Sequence, residues 1–176
     1  MFYIILVVIC LNIRSIAQGS LLVCLSVLLQ LLPTTFGEVF ITATILSAIP
    51  IYILSRLNPK VGFVGYIVAG VLIILINAHE GLFFIFTNGV VGYSLGAFSY
   101  LLNSKLLISI LSGIVLTLLL SIVNFIVGIP VLGINLPGNL LIQIIIIIVF
   151  SIIYCFIYLL LANFIYNYLK RRYPFN

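Results

Sequence analysis

Apolar runs of roughly 20 residues, the length at which a helix crosses a hydrocarbon core, recur at residues 16–33, 36–55, 61–78, 82–102, 106–128 and 140–168. The gaps are short and hold residues that interrupt helices: Pro33-Thr34-Thr35, Asn58-Pro59, His79-Glu80-Gly81, Asn103-Ser104, and the Gly128 to Gly138 stretch with Pro130 and Pro137. Runs such as Ile144 to Phe150 lack the alternation of polar and apolar residues that barrel strands show. A chain in lipid that does not close a barrel has to satisfy its backbone amides within helices. The pattern therefore predicts an all-α membrane protein, a bundle of about six transmembrane helices over residues 14–172. A short apolar segment, 1–13, precedes it and a tail, 173–176, follows. The run from Phe2 to Leu11 is too short to span. It fits an interfacial segment, an extension of the first helix, or a signal-peptide core that no convincing cleavage site follows.

Composition strengthens that assignment. Of the 176 residues, 65% are apolar and 5% charged, and the mean hydropathy is +1.50, values that exclude a soluble domain. The connections between runs are too short for a further folded unit. Cys10, Cys24 and Cys155 are far apart in apolar runs and read as small hydrophobes, so neither a disulfide framework, a metal site nor a cofactor is expected.

Charge sets the expected orientation. With both termini cytoplasmic, all seven basic residues, Arg14, Arg56, Lys60, Lys105, Lys170, Arg171 and Arg172, fall inside, as the positive-inside rule requires. Glu38, His79 and Glu80, the only carboxylates and the only histidine, then fall at the outer ends of helices. Six spans produce that separation, and five or seven would spoil it. The net charge of +5 follows from topology and contact with anionic lipid heads, so no nucleic-acid partner is implied. A multi-pass protein of a bacterial plasma membrane is expected.

The chain has no phosphate-binding glycine loop with its lysine, no H-E-x-x-H, no G-x-S-x-G and no carboxylate pair within a span. It is not expected to be an enzyme. Without an ionisable residue in mid-helix to move charge across the membrane, active transport has to draw its energy from a partner. Polar residues gather toward the outer half: Gln30, Thr34, Thr35, Glu38, Asn77, His79, Glu80, Thr87, Asn88, Asn124, Asn135, Asn139 and Gln143. A pocket open to the outside has this composition, and so do ordinary helix ends and loops. Thr35-x-x-Glu38 reads first as a capping box. His79 and Glu80 read as turn residues, available to a ligand or to solvent. Thr87 and Asn88, about two turns inside the fourth helix by its rise of about 1.5 Å per residue, require partners within the bundle. Ser109, Gly113, Thr117, Ser121 and Asn124 form one small and polar stripe, and Gly92-x-x-x-Gly96 a flat patch, both suited first to close helix packing and otherwise to a partner protein.

Several of these residues carry a resemblance. Arg14-Ser15-Ile16-Ala17-Gln18-Gly19-Ser20 leading into the first span, the short turn at Pro33, the Pro50 to Arg56 helix end with Pro59-Lys60-x-Gly62 and Gly65, and Thr87-Asn88-Gly89-x-x-Gly92 resemble the S components of energy-coupling factor transporters. They look closest to S-component-like proteins with no assigned ligand. The likeness covers residues 14–172. It implies a six-helix vitamin-binding subunit that captures a small-molecule ligand at its outer face and docks on a transmembrane coupling subunit driven by cytoplasmic ATPases. It directs the ligand to Glu38, Asn77, His79, Glu80, Thr87, Asn88, Asn124, Asn139 and Gln143. The partner face falls to Ala17, Ser20 and Cys24, a departure from the Ala-x-x-x-Ala pattern usual there, with Gly92 and Gly96. A structural subunit of a larger membrane complex, and an intramembrane enzyme using His79 or Glu80, are the competing expectations. The outer carboxylates lean toward a neutral or cationic ligand.

Topology has a direct test. With Cys10, Cys24 and Cys155 replaced, a His79→Cys variant is expected to react with a membrane-impermeant maleimide in intact cells, and a Lys60→Cys variant only after permeabilisation. The reverse labelling would invert the topology.

Overall fold

The computed structural model describes residues 13–128 and 140–172. The apolar segment before residue 13, Asn135, Asn139 and the tail 173–176 lie outside the described residues, as does the side chain of Glu38. The chain forms helices α1 (Ile13–Phe36), α2 (Ile41–Leu46), α3 (Ala48–Leu57), α4 (Pro59–Ile76), α5 (Ala78–Phe86), α6 (Asn88–Leu101), α7 (Lys105–Ile122) and α8 (Leu140–Arg172). A 3-10 turn, Glu38–Phe40, joins α1 to α2, and a π turn, Val123–Val127, extends α7. Helices α2 with α3, and α5 with α6, are single apolar segments each interrupted once, so six segments pack as an all-α bundle without a strand among the described residues. Five are long and apolar enough to cross a membrane, and Ile41–Leu57 is the shorter sixth. The protein is a multi-pass membrane protein.

Asparagine sets two of the boundaries. Asn58 Oδ1 accepts from the amides of Lys60 (3.1 Å) and Val61 (3.5 Å), and Pro59 occupies the first helical position, where no amide is needed. Asn77 Oδ1 likewise accepts from His79 N (3.1 Å) and Glu80 N (3.2 Å). The third interruption therefore falls at Asn77, and His79-Glu80-Gly81, expected as a turn, belong to the first turns of α5. Gly81 is spent on packing, since a Cβ there would lie 2.7 Å from Ile74 Cα.

The first interruption also moves. Helix α1 runs through Pro33 to Phe36, and threonine hydroxyls brace the turn that follows the proline. Thr34 Oγ1 donates to Leu31 O (2.7 Å) and Thr35 Oγ1 to Leu32 O (3.1 Å). Gly37, at φ +88°, turns its amide onto Pro33 O (2.9 Å) and ends the helix in a left-handed cap. Thr35 thus serves the end of α1, and the capping box expected from Thr35-x-x-Glu38 does not form.

Helix α3 sits at the centre, buried from Ala48 to Ser55 and packed against α1, α4, α6 and α8. Its closest neighbour is α6, because Gly92 faces Ala48 O directly and a Cβ on Gly96 would lie 2.6 Å from Tyr52 O. The Gly92-x-x-x-Gly96 patch, a candidate partner face, is thus filled by the chain's own α3. Across α7 and α8, Gly113 meets Ile152, with Ser109, Ser112 and Thr117 buried beside it. Ser109 Oγ donates to Lys105 O (2.9 Å) and Thr117 Oγ1 to Gly113 O (2.8 Å). The hydroxyls of Ser109 and Thr117 are therefore spent on their own helix, that of Ser112 is buried without a partner, and the small size of all three admits the neighbour.

Filling the α3–α6 contact should unfold the bundle early. Gly96→Val is expected to cost about 1–3 kcal/mol by overpacking. It should lower the temperature at which the buried Cys155 thiol becomes reactive in detergent. A Gly96→Val protein melting with the parent would contradict the close approach.

Candidate functional site

The interruption at Ser47 creates the main polar centre of the bundle. Gln30, from the last third of α1, is 1% exposed, so each of its amide atoms has to be served by the protein. Its Oε1 accepts from Ser47 Oγ (2.8 Å) and from Asn88 Nδ2 (3.2 Å), and its Nε2 donates to Glu80 Oε2 (2.8 Å). One side chain thereby joins α1 to the α2–α3 junction, to the start of α5 and to the start of α6.

The same neighbourhood serves carbonyls at both interruptions, of which Thr44 O and Phe83 O also keep a backbone amide, from Ser47 and Thr87 respectively. At the α2–α3 junction, Asn88 Nδ2 also donates to Thr44 O (2.9 Å), Tyr158 OH on α8 donates to Ile45 O (2.8 Å), and Ser26 Oγ on α1 donates to Ser47 O (2.7 Å). Between α5 and α6, Tyr66 OH on α4 donates to Ile85 O (2.8 Å), and Thr87 Oγ1 donates to Phe83 O. Sequence reasoning places Thr87 and Asn88 inside a continuous helix. They instead flank its break, with Thr87 at φ −125° and ψ −88°. The requirement for partners within the bundle is met for Asn88 by Gln30 and Thr44, whereas Thr87 bonds within its own segment.

The remaining candidates divide. Asn77, Glu80 and Asn88 converge on the Gln30 junction or cap the helix beside it. His79 is exposed on the outward side of α5, with its ring edge-on to Phe83 at 4.8 Å between centroids. Asn124, in the π turn, and Gln143, in the first turn of α8, are each engaged with other groups. Glu38 lies in the 3-10 turn after α1. Ala17, Ser20 and Cys24 line the exposed side of α1, open to lipid or to another helix. Ser26 and Ser47 are members that the sequence did not point to, and Gln30 stood among the outer polar residues without being assigned to the ligand. Gln30 carried the one available signal, a long amide in an apolar run. A cleft of about 270 Å³ lies elsewhere, between α7 and α8, lined by Leu106, Ser109, Ile110, Ile152, Ile153 and Phe156. It offers an apolar wall and no free polar group. No set of three or more metal-ligating side chains occurs among the described residues.

Fold and junction define the class: a helical multi-pass membrane protein with a buried amide–carboxylate network at the end that carries its acidic residues. Compared with known proteins, the chain matches no protein-family model, no curated protein and no solved structure.

The junction predicts a graded response. Gln30→Leu removes the amide donor that Glu80 meets, while the Asn88 amide and the Ser47 hydroxyl keep Thr44 O, and it is expected to cost about 1–3 kcal/mol. Glu80→Gln should cost less. In a double-mutant cycle read by thermal melting, the two changes should be non-additive, and strict additivity would show that the pair does not interact.

Proposed function

We propose that the protein is the substrate-binding membrane subunit of a vitamin or micronutrient uptake transporter in a bacterial plasma membrane, capturing a small molecule at its outer face and relying on partner ATPases for energy. The observation that carries this reading is the Gln30–Glu80–Asn88–Ser47 junction. Buried amides are costly to place in a membrane bundle, and this cluster exceeds what one helix break requires. Its members come from separate segments held by side chains, so rotamer changes can open it without breaking a helix. Glu80 pairs with the neutral amide of Gln30, which favours a neutral or cationic ligand able to replace that amide donor. Helix α1 supports the partner part of the reading, because Ala17, Ser20 and Cys24 leave a narrow side of the bundle uncovered.

Native mass spectrometry of the protein released gently from its own membrane tests both parts. A retained small polar metabolite, together with ATPases and a second membrane subunit, is the expected result. Glu80→Gln should then weaken retention of the metabolite by about ten-fold or more, while Ser20→Leu should keep the metabolite and lose the partners. A ligand-free chain held among other membrane proteins would overturn the transport reading in favour of a structural subunit.

A further inference from the structure

The basic end of the bundle holds a second polar centre, built around Arg56 in the last turn of α3. The guanidinium is half-buried, lies over the Tyr166 ring of α8 with Cζ 4.1 Å from its centroid, and is 5.7 Å from the centroid of Tyr52. Its Nη1 donates to Tyr52 OH (2.6 Å) and to Asn163 Oδ1, and Tyr52 OH donates to the same Asn163 oxygen (2.9 Å). Tyr52 is fully buried and Tyr166 is 9% exposed, so Arg56 is drawn into α8. A snorkelling arginine would instead extend into solvent.

Charge and hydrogen-bond inventories both come out unbalanced. Glu80 is engaged with Gln30 in the junction built around Ser47, so among the described residues Arg56 has only neutral partners. The carboxyl end of α3 offers about half of one negative charge, which leaves the guanidinium undercompensated. Asn163 Oδ1 and the Tyr52 oxygen are already used, and the buried Ser99 hydroxyl beside Tyr52 is unpartnered but carries no charge. Donors remain, since a guanidinium carries five N–H groups and an asparagine amide two. Among the described residues no acceptor meets Arg56 Nε, Arg56 Nη2 or Asn163 Nδ2. These donors are not fully buried, and an anionic group rich in acceptor oxygens would meet them together while supplying the missing charge; the planar fork of arginine matches a phosphate in two-point fashion.

We infer that Arg56 and Asn163, backed by Tyr52 and Tyr166, form a binding site for the phosphate of an anionic phospholipid at the basic end of the bundle. The lipid source follows from position. The same end carries the exposed Lys60, Lys105, Lys170, Arg171 and Arg172, and a basic pocket between transmembrane helices at the cytoplasmic leaflet lies at the level of lipid headgroups.

The test is native mass spectrometry of the full chain released from nanodiscs of equal phosphatidylglycerol and phosphatidylcholine. The parent is expected to retain one phosphatidylglycerol, preferred over phosphatidylcholine by about ten-fold or more. Arg56→Gln should abolish the preference, and Arg56→Lys should reduce it, because an ammonium keeps the charge without the fork. Asn163→Asp keeps the site folded by giving Arg56 an internal counter-ion. It should raise the melting temperature while expelling the lipid, so a folding defect in Arg56→Gln would not obscure the result. Replacing Lys170, Arg171 and Arg172 together with Gln should leave the preference intact. Equal retention of the two lipids by the parent, or a preference that survives Asn163→Asp, would overturn the site. So would a preference that vanishes with the three terminal charges. Inorganic phosphate held by lipid-stripped parent but not by Arg56→Gln would assign the site to soluble phosphate and overturn its lipid source.

Discussion

An unpaired backbone carbonyl in hydrocarbon costs several kcal/mol, because no water reaches it, and this structure is organised around the carbonyls released by its two broken segments. At the α2–α3 break, Tyr158 and Ser26 reach Ile45 O and Ser47 O from two different segments, and Asn88 adds a bond to Thr44 O, which the Ser47 amide also serves. At the α5–α6 break, Tyr66 reaches Ile85 O. A single such bond contributes only about 1 kcal/mol net. The alternative state, however, is an orphaned carbonyl rather than a hydrated one. The breaks therefore act as pegs that fix α1, α6 and α8 in register with the α2–α3 segment and α4 with α5, and apolar packing alone gives no such register in a solvent as apolar as leucine.

Glycine makes those bonds geometrically possible. With Gly92 against Ala48 and Gly96 against Tyr52 and Ser55, α6 approaches α3 closely enough for Asn88, one turn earlier, to reach Thr44. Close packing at the centre and polar chemistry at the end are parts of one arrangement. Tyr52 shows the same economy at the other end, where its backbone receives Gly96 and its hydroxyl meets Arg56 and Asn163. Two polar centres of opposite character, one holding a carboxylate and the other a guanidinium, are thus held apart by an apolar core.

Much of the candidate site was legible in part. Asn88 sits where a polar side chain in an apolar run has to find a partner, and that requirement follows from lipid alone. Its partner, Gln30, lies 58 residues away in sequence, and nothing local links the two. Thr87 was misplaced because a break inside an apolar segment leaves no mark in hydropathy. Pro33 misled in the opposite direction, since the helix continues for one turn beyond it and ends only at Gly37, whose amide meets Pro33 O. Arg56 read as one of seven charges that set orientation, and its aromatic and amide partners come from α8, more than a hundred residues on.

By itself the sequence determined what depends on counting and on local chemistry: a membrane protein, its six apolar segments, the boundary at Asn58-Pro59, and the separation of basic from acidic ends. Lipid imposes these directly on composition and length. Tertiary structure decided which side of each helix faces inward. Along α8, Ile147, Ser151, Cys155, Tyr158, Ala162 and Tyr166 are buried, while Ile145, Val149, Ile153, Ile157 and Phe164 are exposed. Both sides are mostly apolar, so the periodicity that marks the buried side of a helix in water is largely missing. Shape and the placement of a few hydrogen bonds choose the buried face in its stead, and those exist only once the helices have met.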